Sequence, residues 1–228
     1  MGNNGKKITV TAVNRNTLSK QVMESIVHLL TSGQLKSGDK LPTEIELMEI
    51  LGVSRPVLRE ALSSLEALGI VTRKTREGTF FNSKVSSQPF SIMLALAYDN
   101  LPAIVEARIV LELGLITMAA EKINDEQLKV LKQTIDDIEN CRDENYGEID
   151  VEFHRTIALA AKNPITEGMV DALLIAHRKI NDEIKVRERQ RTVQYHKAIY
   201  NALEKRDPIE AFRQMYAHLD FVRKKVLS

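Results

Sequence analysis

From Leu18 to Gly69 the apolar residues come in three bursts, each spaced for a helix and each stopped by a glycine. Leu18, Val22, Ile26, Leu29 and Leu30 recur three or four positions apart, and Gly33 ends that run. Leu47, Ile50 and Leu51 form a second face up to Gly52. Leu58, Ala61, Leu62, Leu65 and Leu68 form a third up to Gly69. Ser37-Gly38-Asp39 reads as a turn, and Thr43-Glu44-Ile45-Glu46 has the form of a capping box at the second helix. Ser54 is an N-cap for the third, with Pro56 in its first turn, where a missing N–H does no harm. The pattern then changes. Ile70-Val71-Thr72-Arg73 and Thr79-Phe80-Phe81 flank the charged stretch Lys74-Thr75-Arg76-Glu77-Gly78, which predicts a two-stranded hairpin. Helix, helix, turn, helix and hairpin make a winged helix-turn-helix over 1–81, with 1–16 as a flexible arm.

Residues 82–89 are polar and serine-rich and read as a linker. Beyond them helical periodicity hardly lapses. It predicts helices near 101–122, 125–140, 146–161, 165–188, 192–206 and 208–226, with a shorter one over 90–98. Asn163-Pro164 and Asp207-Pro208 mark two breaks. The expected fold class is therefore mainly α: a winged helix-turn-helix with a small hairpin wing, followed by an all-helical bundle over 90–228.

Charge separates the two parts. Residues 1–81 carry 11 Lys+Arg against 8 Asp+Glu, a basic bias that suits nucleic acid; residues 82–228 carry 21 against 23. The one cysteine, Cys141, excludes an intrachain disulfide and suits a reducing cytosol, so a cytoplasmic protein is expected. The polar start Met1-Gly2-Asn3-Asn4-Gly5-Lys6-Lys7 lacks a signal peptide's apolar core. The greasiest stretch, Ile109 to Ala120, contains Glu112 and is too short to span a bilayer, so no membrane partner is expected.

Arg55 and Arg59 are four apart and share the helix face opposite Leu58, Leu62 and Leu65. Guanidinium groups there can grip phosphate or take guanine O6 and N7 as a fork. Ser54, Pro56 and Ser63 flank that face, and Lys74 and Arg76 on the hairpin are placed to meet the adjacent groove or backbone of double-stranded DNA. The plainer alternative is a pair of solvent-facing arginines.

In the second part, Asp150 and His154 are four apart on a predicted helix, so their side chains meet. His196 and His218 fall on two further helices. A carboxylate and three imidazoles on inward-facing helices can hold one divalent metal, zinc or nickel rather than magnesium. Against this, single histidines on amphipathic helices are commonly core or polar-edge residues with one hydrogen bond. Arg108 has a similar alternative, an ion pair with Glu112 one turn on. His28 and His177 read as ordinary helix residues, the methionines as core packing, and Lys185 to Arg191 as a solvated helix end.

Several fixed spacings carry a family likeness. Gly38-Asp39-Lys40-Leu41-Pro42-Thr43-Glu44, Leu51-Gly52-Val53-Ser54-Arg55, Arg59-Glu60-Ala61-Leu62, Leu65-Glu66-Ala67-Leu68-Gly69-Ile70-Val71 and Gly78-Thr79-Phe80 together resemble the GntR family of bacterial regulators. The resemblance implies a homodimer on a near-palindromic operator, with Arg55, Arg59 and the wing, Gly78 and Thr79 included, contacting DNA. Two positions depart from it: Ile45 stands where members often carry arginine, and Arg76 where the wing tip usually has glycine.

Further along, Glu106-Ala107-Arg108-Ile109-Val110-Leu111-Glu112, Asp150-Val151-Glu152-Phe153-His154, Asn163-Pro164, Tyr195-His196-Lys197-Ala198-Ile199 and Met215-Tyr216-Ala217-His218-Leu219 are similar to the FCD domain of the FadR branch. That likeness implies a metal on Asp150, His154, His196 and His218. It also implies a small organic acid effector that takes the open metal positions and Arg108. The expected function is a metabolite-responsive repressor. Two other readings stand beside it: a metal-dependent hydrolase in a helical bundle, and a DNA-binding protein with an unused pocket.

Overall fold

The computed structural model describes residues 17–84, 86–142 and 146–227, so the expected arm over 1–16 lies outside the described residues. The chain divides after Asn82 into two compact units. In the first, helices α1 (Leu18–Thr31), α2 (Glu44–Leu51) and α3 (Arg55–Ala67) precede strands β1 (Val71–Lys74) and β2 (Gly78–Phe81). The second holds α4 (Gln88–Leu96), α5 (Leu101–Lys122), α6 (Asp125–Asn140), α7 (Gly147–Ala160), α8 (Pro164–Glu183), α9 (Arg189–Glu204) and α10 (Pro208–Leu227).

The first unit is a winged helix-turn-helix, and its ends are where the residue chemistry puts them. Thr43 and Glu46 form a complete capping box on α2, and Gly52 closes that helix in the left-handed conformation at φ 64°. Val22, Ile26, Leu58, Leu62, Leu65, Val71 and Phe81 bury a shared core that sets α3 across α1 and under the wing. β1 and β2 pair antiparallel, Val71 opposite Phe81 and Lys74 opposite Gly78, which shortens the turn to Thr75-Arg76-Glu77. Arg76 takes φ 65° in that turn, the strained position where glycine is the easy choice. Gly78 takes φ 116°, a conformation that L side chains rarely adopt, and a Cβ there would also displace the flexible end of the Lys40 side chain, whose Cε would stand 2.7 Å away. One expectation fails. Ser54 precedes α3 but makes no side-chain cap; Pro56 in the first turn removes one of the donors a cap would satisfy.

The second unit is all helical. Ile116, Leu131, Ile138, Phe153, Ile157, Ile199, Leu203, Met215 and Leu219 fuse α5, α6, α7, α9 and α10 around one apolar core. Several boundaries differ from the sequence expectation, among them the start of α9, at Arg189 rather than near 192. α4 starts at Gln88, inside the predicted linker. α8 ends at Glu183 rather than near 188, because Ile184 leaves the helical region at ψ 100°. The basic stretch that follows is not a solvated helix end. Arg187 donates to the Asn181 carbonyl at 3.2 Å and covers the Tyr146 ring, Arg189 donates to the Cys141 carbonyl, and α9 has already begun.

Candidate DNA-reading face and metal centre

On the first unit, α3 presents Ser54, Arg55, Pro56 and Arg59 to solvent while Leu58, Ala61, Leu62 and Leu65 face inward. Arg55 is 68% exposed and lies 3.6 Å from Glu44 on α2, a pairing too open to hold it against a stronger phosphate partner. Ser63 is taken by Arg73, whose guanidinium also grips Glu66 at 2.7 Å and so pins β1 to α3. Lys74, Arg76 and Gly78 are exposed on the wing. Thr79 is not: it is 9% exposed, and its carbonyl accepts the Leu41 amide at 2.8 Å. Thr79 therefore anchors the wing to the segment before α2, and its side chain is not on the open face. Ile45 is 70% exposed, an apolar group on that surface.

On the second unit, Asp150 and His154 project one turn apart from α7, His196 from α9 and His218 from α10. All four are buried, and each offers a donor atom such that the four atoms lie within 4.8 Å of one another. His154 Nε2 is 3.2 Å from His218 Nε2, and His196 Nε2 is 3.2 Å from Asp150 Oδ1. Packing fixes the rings. Phe153 stacks on His196 with centroids 3.8 Å apart, and Tyr195 lies against His218.

The donor set fits a cation on an observation independent of family likeness. Asp150 Oδ1 and His196 Nε2 are buried and make no hydrogen bond. Leaving such atoms unpaired costs free energy that a metal would recover. Three nitrogens and one oxygen suit zinc or nickel.

The electrostatics keep Asp150, His196 and His218 in the ligating state. Burial pushes the Asp150 carboxyl up, but the hydrogen bond from His177 and the neighbouring imidazoles outweigh it and hold the group well below its ordinary range. Burial pushes His196 down, and burial with the neighbouring His196 pushes His218 well down, so both rings stay neutral.

Two residues that sequence reasoning passed over complete the centre. His177 on α8 is fully buried and lies with Nε2 2.7 Å from Asp150 Oδ2; burial and the Arg108 charge push it down to about 4. Glu112 on α5 accepts from His154 Nδ1 and, at 2.6 Å, from Arg108 Nε. Burial raises the Glu112 carboxyl, and its contacts with His154 and Arg108 more than reverse that. The ion pair between Arg108 and Glu112 is thus present and buried, with Arg108 also reaching to 3.4 Å of His154 Nε2. A charged residue inside the apolar run 109–120 was the available signal for Glu112. His177, among Leu173, Leu174 and Ala176, carried a similar one.

Arg108, Asp150 and His218 also line a narrow recess of about 20 Å³, whose other walls include Tyr146, Asn181 and Thr192. Tyr146 Oη and Thr192 Oγ1 are 3.0 Å apart, and Asn181 donates to the Gly147 carbonyl at 3.2 Å. No helix among the described residues is long and apolar enough to cross a membrane.

Comparison with known proteins agrees with this division. Residues 18–81 match the family described as bacterial regulatory proteins, gntR family, and residues 103–221 match the FCD domain. The chain is 67% identical over 221 residues to the HTH-type transcriptional regulator YcbG of Bacillus subtilis (strain 168), covering 97% of this chain and 95% of that one. It is 33% identical to the HTH-type transcriptional regulator LutR of the same organism, over 84% of this chain and 93% of the relative. It is 32% identical to the HTH-type transcriptional repressor NanR of Klebsiella aerogenes, over 91% and 85%. Among solved structures, Streptococcus agalactiae GntR superposes with a TM-score of 0.60 at 28% identity, covering 90% of this chain and 99% of that one. These relatives are regulators of transcription, not enzymes, which removes the hydrolase reading.

Proposed function

The chain belongs to the GntR family of bacterial regulatory proteins, with an FCD domain as its second unit, and from that premise we propose a metabolite-responsive repressor whose operator affinity is set by a divalent ion and a small carboxylate. The convergence of Asp150, His154, His196 and His218 carries this reading. Zinc or nickel is the ion the donor set favours. When bound, it supplies Lewis-acid attraction for a carboxylate entering from the recess. Arg108, which lines the same recess, has further N–H groups for a second carboxylate oxygen. Tyr146, Asn181 and Thr192 add hydrogen-bonding groups to a lining that also carries Arg187, Glu188 and Lys225, which suits a polar acid better than a long aliphatic one.

On the DNA side, Arg55 and Arg59 enter the major groove with Ser54 and Pro56 at the helix start, and Lys74, Arg76 and Gly78 approach from the wing. Thr79 supports the wing from behind. The protein acts as a homodimer on a near-palindromic site in the cytoplasm. Supporting the dimer, α4 is strongly apolar yet buries none of its residues, with Ile92, Met93 and Leu96 exposed. Repression is supported by the NanR relatives, which are repressors.

The test uses duplex DNA selected by the protein from a random library. Affinity is measured at fixed salt, with zinc-loaded and chelator-stripped protein, across a panel of monocarboxylates, dicarboxylates and hydroxycarboxylates. One class of acid should shift affinity by at least ~5-fold in the loaded protein only. Identical affinity across the panel in both states would leave a DNA binder with an unused pocket.

A further inference from the structure

We infer that His177 and Glu112 are positioning residues for the metal centre: His177 aims the Asp150 carboxylate, and Glu112 fixes the ring of His154. The inference rests on the proposed metal reading and adds what orients two of its four ligands.

Asp150 presents two oxygens to different partners. Oδ2 is 2.7 Å from His177 Nε2, while Oδ1 faces His196 and makes no hydrogen bond. A carboxylate can only accept, so His177 Nε2 carries the proton and donates it. With Oδ2 occupied, one oxygen of Asp150 is left for the ion, which makes it a single-point ligand. His177 is held for this role by its place on α8, where it is buried along with Leu173, Leu174 and Ala176.

Glu112 acts on the second ligand. It accepts from His154 Nδ1, so the proton of His154 sits on Nδ1 and the Nε2 lone pair turns towards His218. Arg108 holds the other oxygen of Glu112 at 2.6 Å, which keeps that carboxylate from rotating away. Two helices, α5 and α8, thereby supply partners to the two ligands that lie on α7. Neither His177 nor Glu112 needs to touch the ion.

The experiment compares full-length wild type with His177→Leu, His177→Gln and Glu112→Gln. Zinc affinity is read by competition with a chromophoric chelator, and coordination by the visible absorption of the cobalt-substituted protein. Losing such an outer partner lowers metal affinity ~10–100-fold. His177→Leu should fall in that range and change the cobalt band shape, as Asp150 is freed to bind through both oxygens. His177→Gln keeps an N–H near the Nε2 position, so it should recover most of the affinity and the wild-type spectrum. Glu112→Gln should lower affinity independently of α8, and it decides the matter if His177→Leu does not fold. Wild-type affinity and spectra in both His177→Leu and Glu112→Gln would overturn the inference while leaving the metal reading intact. Failure of wild type itself to take up zinc or cobalt would overturn both.

Discussion

The ring of Phe153 lies flat on that of His196, with centroids 3.8 Å apart and planes 5° from parallel. Phe153 follows Glu152 on α7 and is fully buried, so one side chain serves both the apolar core and the orientation of a candidate ligand. Phe153→Ala should lower unfolding stability by about 3–5 kcal/mol, the usual range for emptying such a site. Denaturant unfolding of the metal-free protein checks this. A loss below ~1 kcal/mol would mean that the surrounding helices collapse into the space.

Arg55→Ala and Arg59→Ala should each weaken specific DNA binding by about 1–3 kcal/mol if the residue reads a base. Both side chains are exposed, so the melting temperature should hardly move. Fluorescence anisotropy on a selected operator and on an unrelated duplex separates the cases. Equal losses on both duplexes would make the arginine a phosphate contact, and no loss on either would remove it from the interface.

Arg76 occupies a conformation that costs a residue with a side chain roughly 1–2 kcal/mol. Arg76→Gly should therefore stabilise the first unit by about 1 kcal/mol while weakening DNA binding through the lost charge. Stability and affinity moving in opposite directions is the expected signature. Stability unchanged or lowered would show that Arg76 pays for its backbone through contacts of its own.

The buried histidines make the metal-free protein acid-sensitive. His177 falls from its ordinary 6.5 to about 4 on folding, and His196 and His218 shift the same way through burial. In the unfolded chain these rings protonate as pH drops below about 6.5, while the folded protein resists. The unfolded state then binds more protons, so stability is full above pH 6.5 and is lost as pH falls towards 4. Asp150 and Glu112, held low in the folded state, extend the loss to still lower pH. Urea midpoints should decline steadily between pH 7.5 and 4.5, and a flat profile would contradict the neutral, buried state of the rings.

Much of this was legible in the residues. Gly33, Gly52 and Gly69 punctuate the three helices of the first unit, and the Thr43–Glu46 box forms as its spacing requires. The spacing of Asp150 and His154 already placed two donors on one helix face. What could not be read was whatever depends on distant chain segments. His177 reaches Asp150 across 27 residues and Glu112 reaches His154 across 42, so neither pairing has a local signature. Thr79 is polar by type and buried by its place beside Leu41. The end of α8 has no sequence signature because Ile180 and Ile184 continue the apolar rhythm. The chain turns there with tertiary ties, Arg187 over the Tyr146 ring and Lys225 donating to Glu188 at 2.8 Å.

The most direct measurement is metal content per chain in refolded or zinc-dialysed protein, read by native mass spectrometry for wild type and for Asp150→Ala, His196→Ala and His218→Ala. One zinc per wild-type chain, with each variant folded but losing most of it, is the predicted result. Full occupancy in all three variants, or none in wild type, would contradict a sensor built on those side chains.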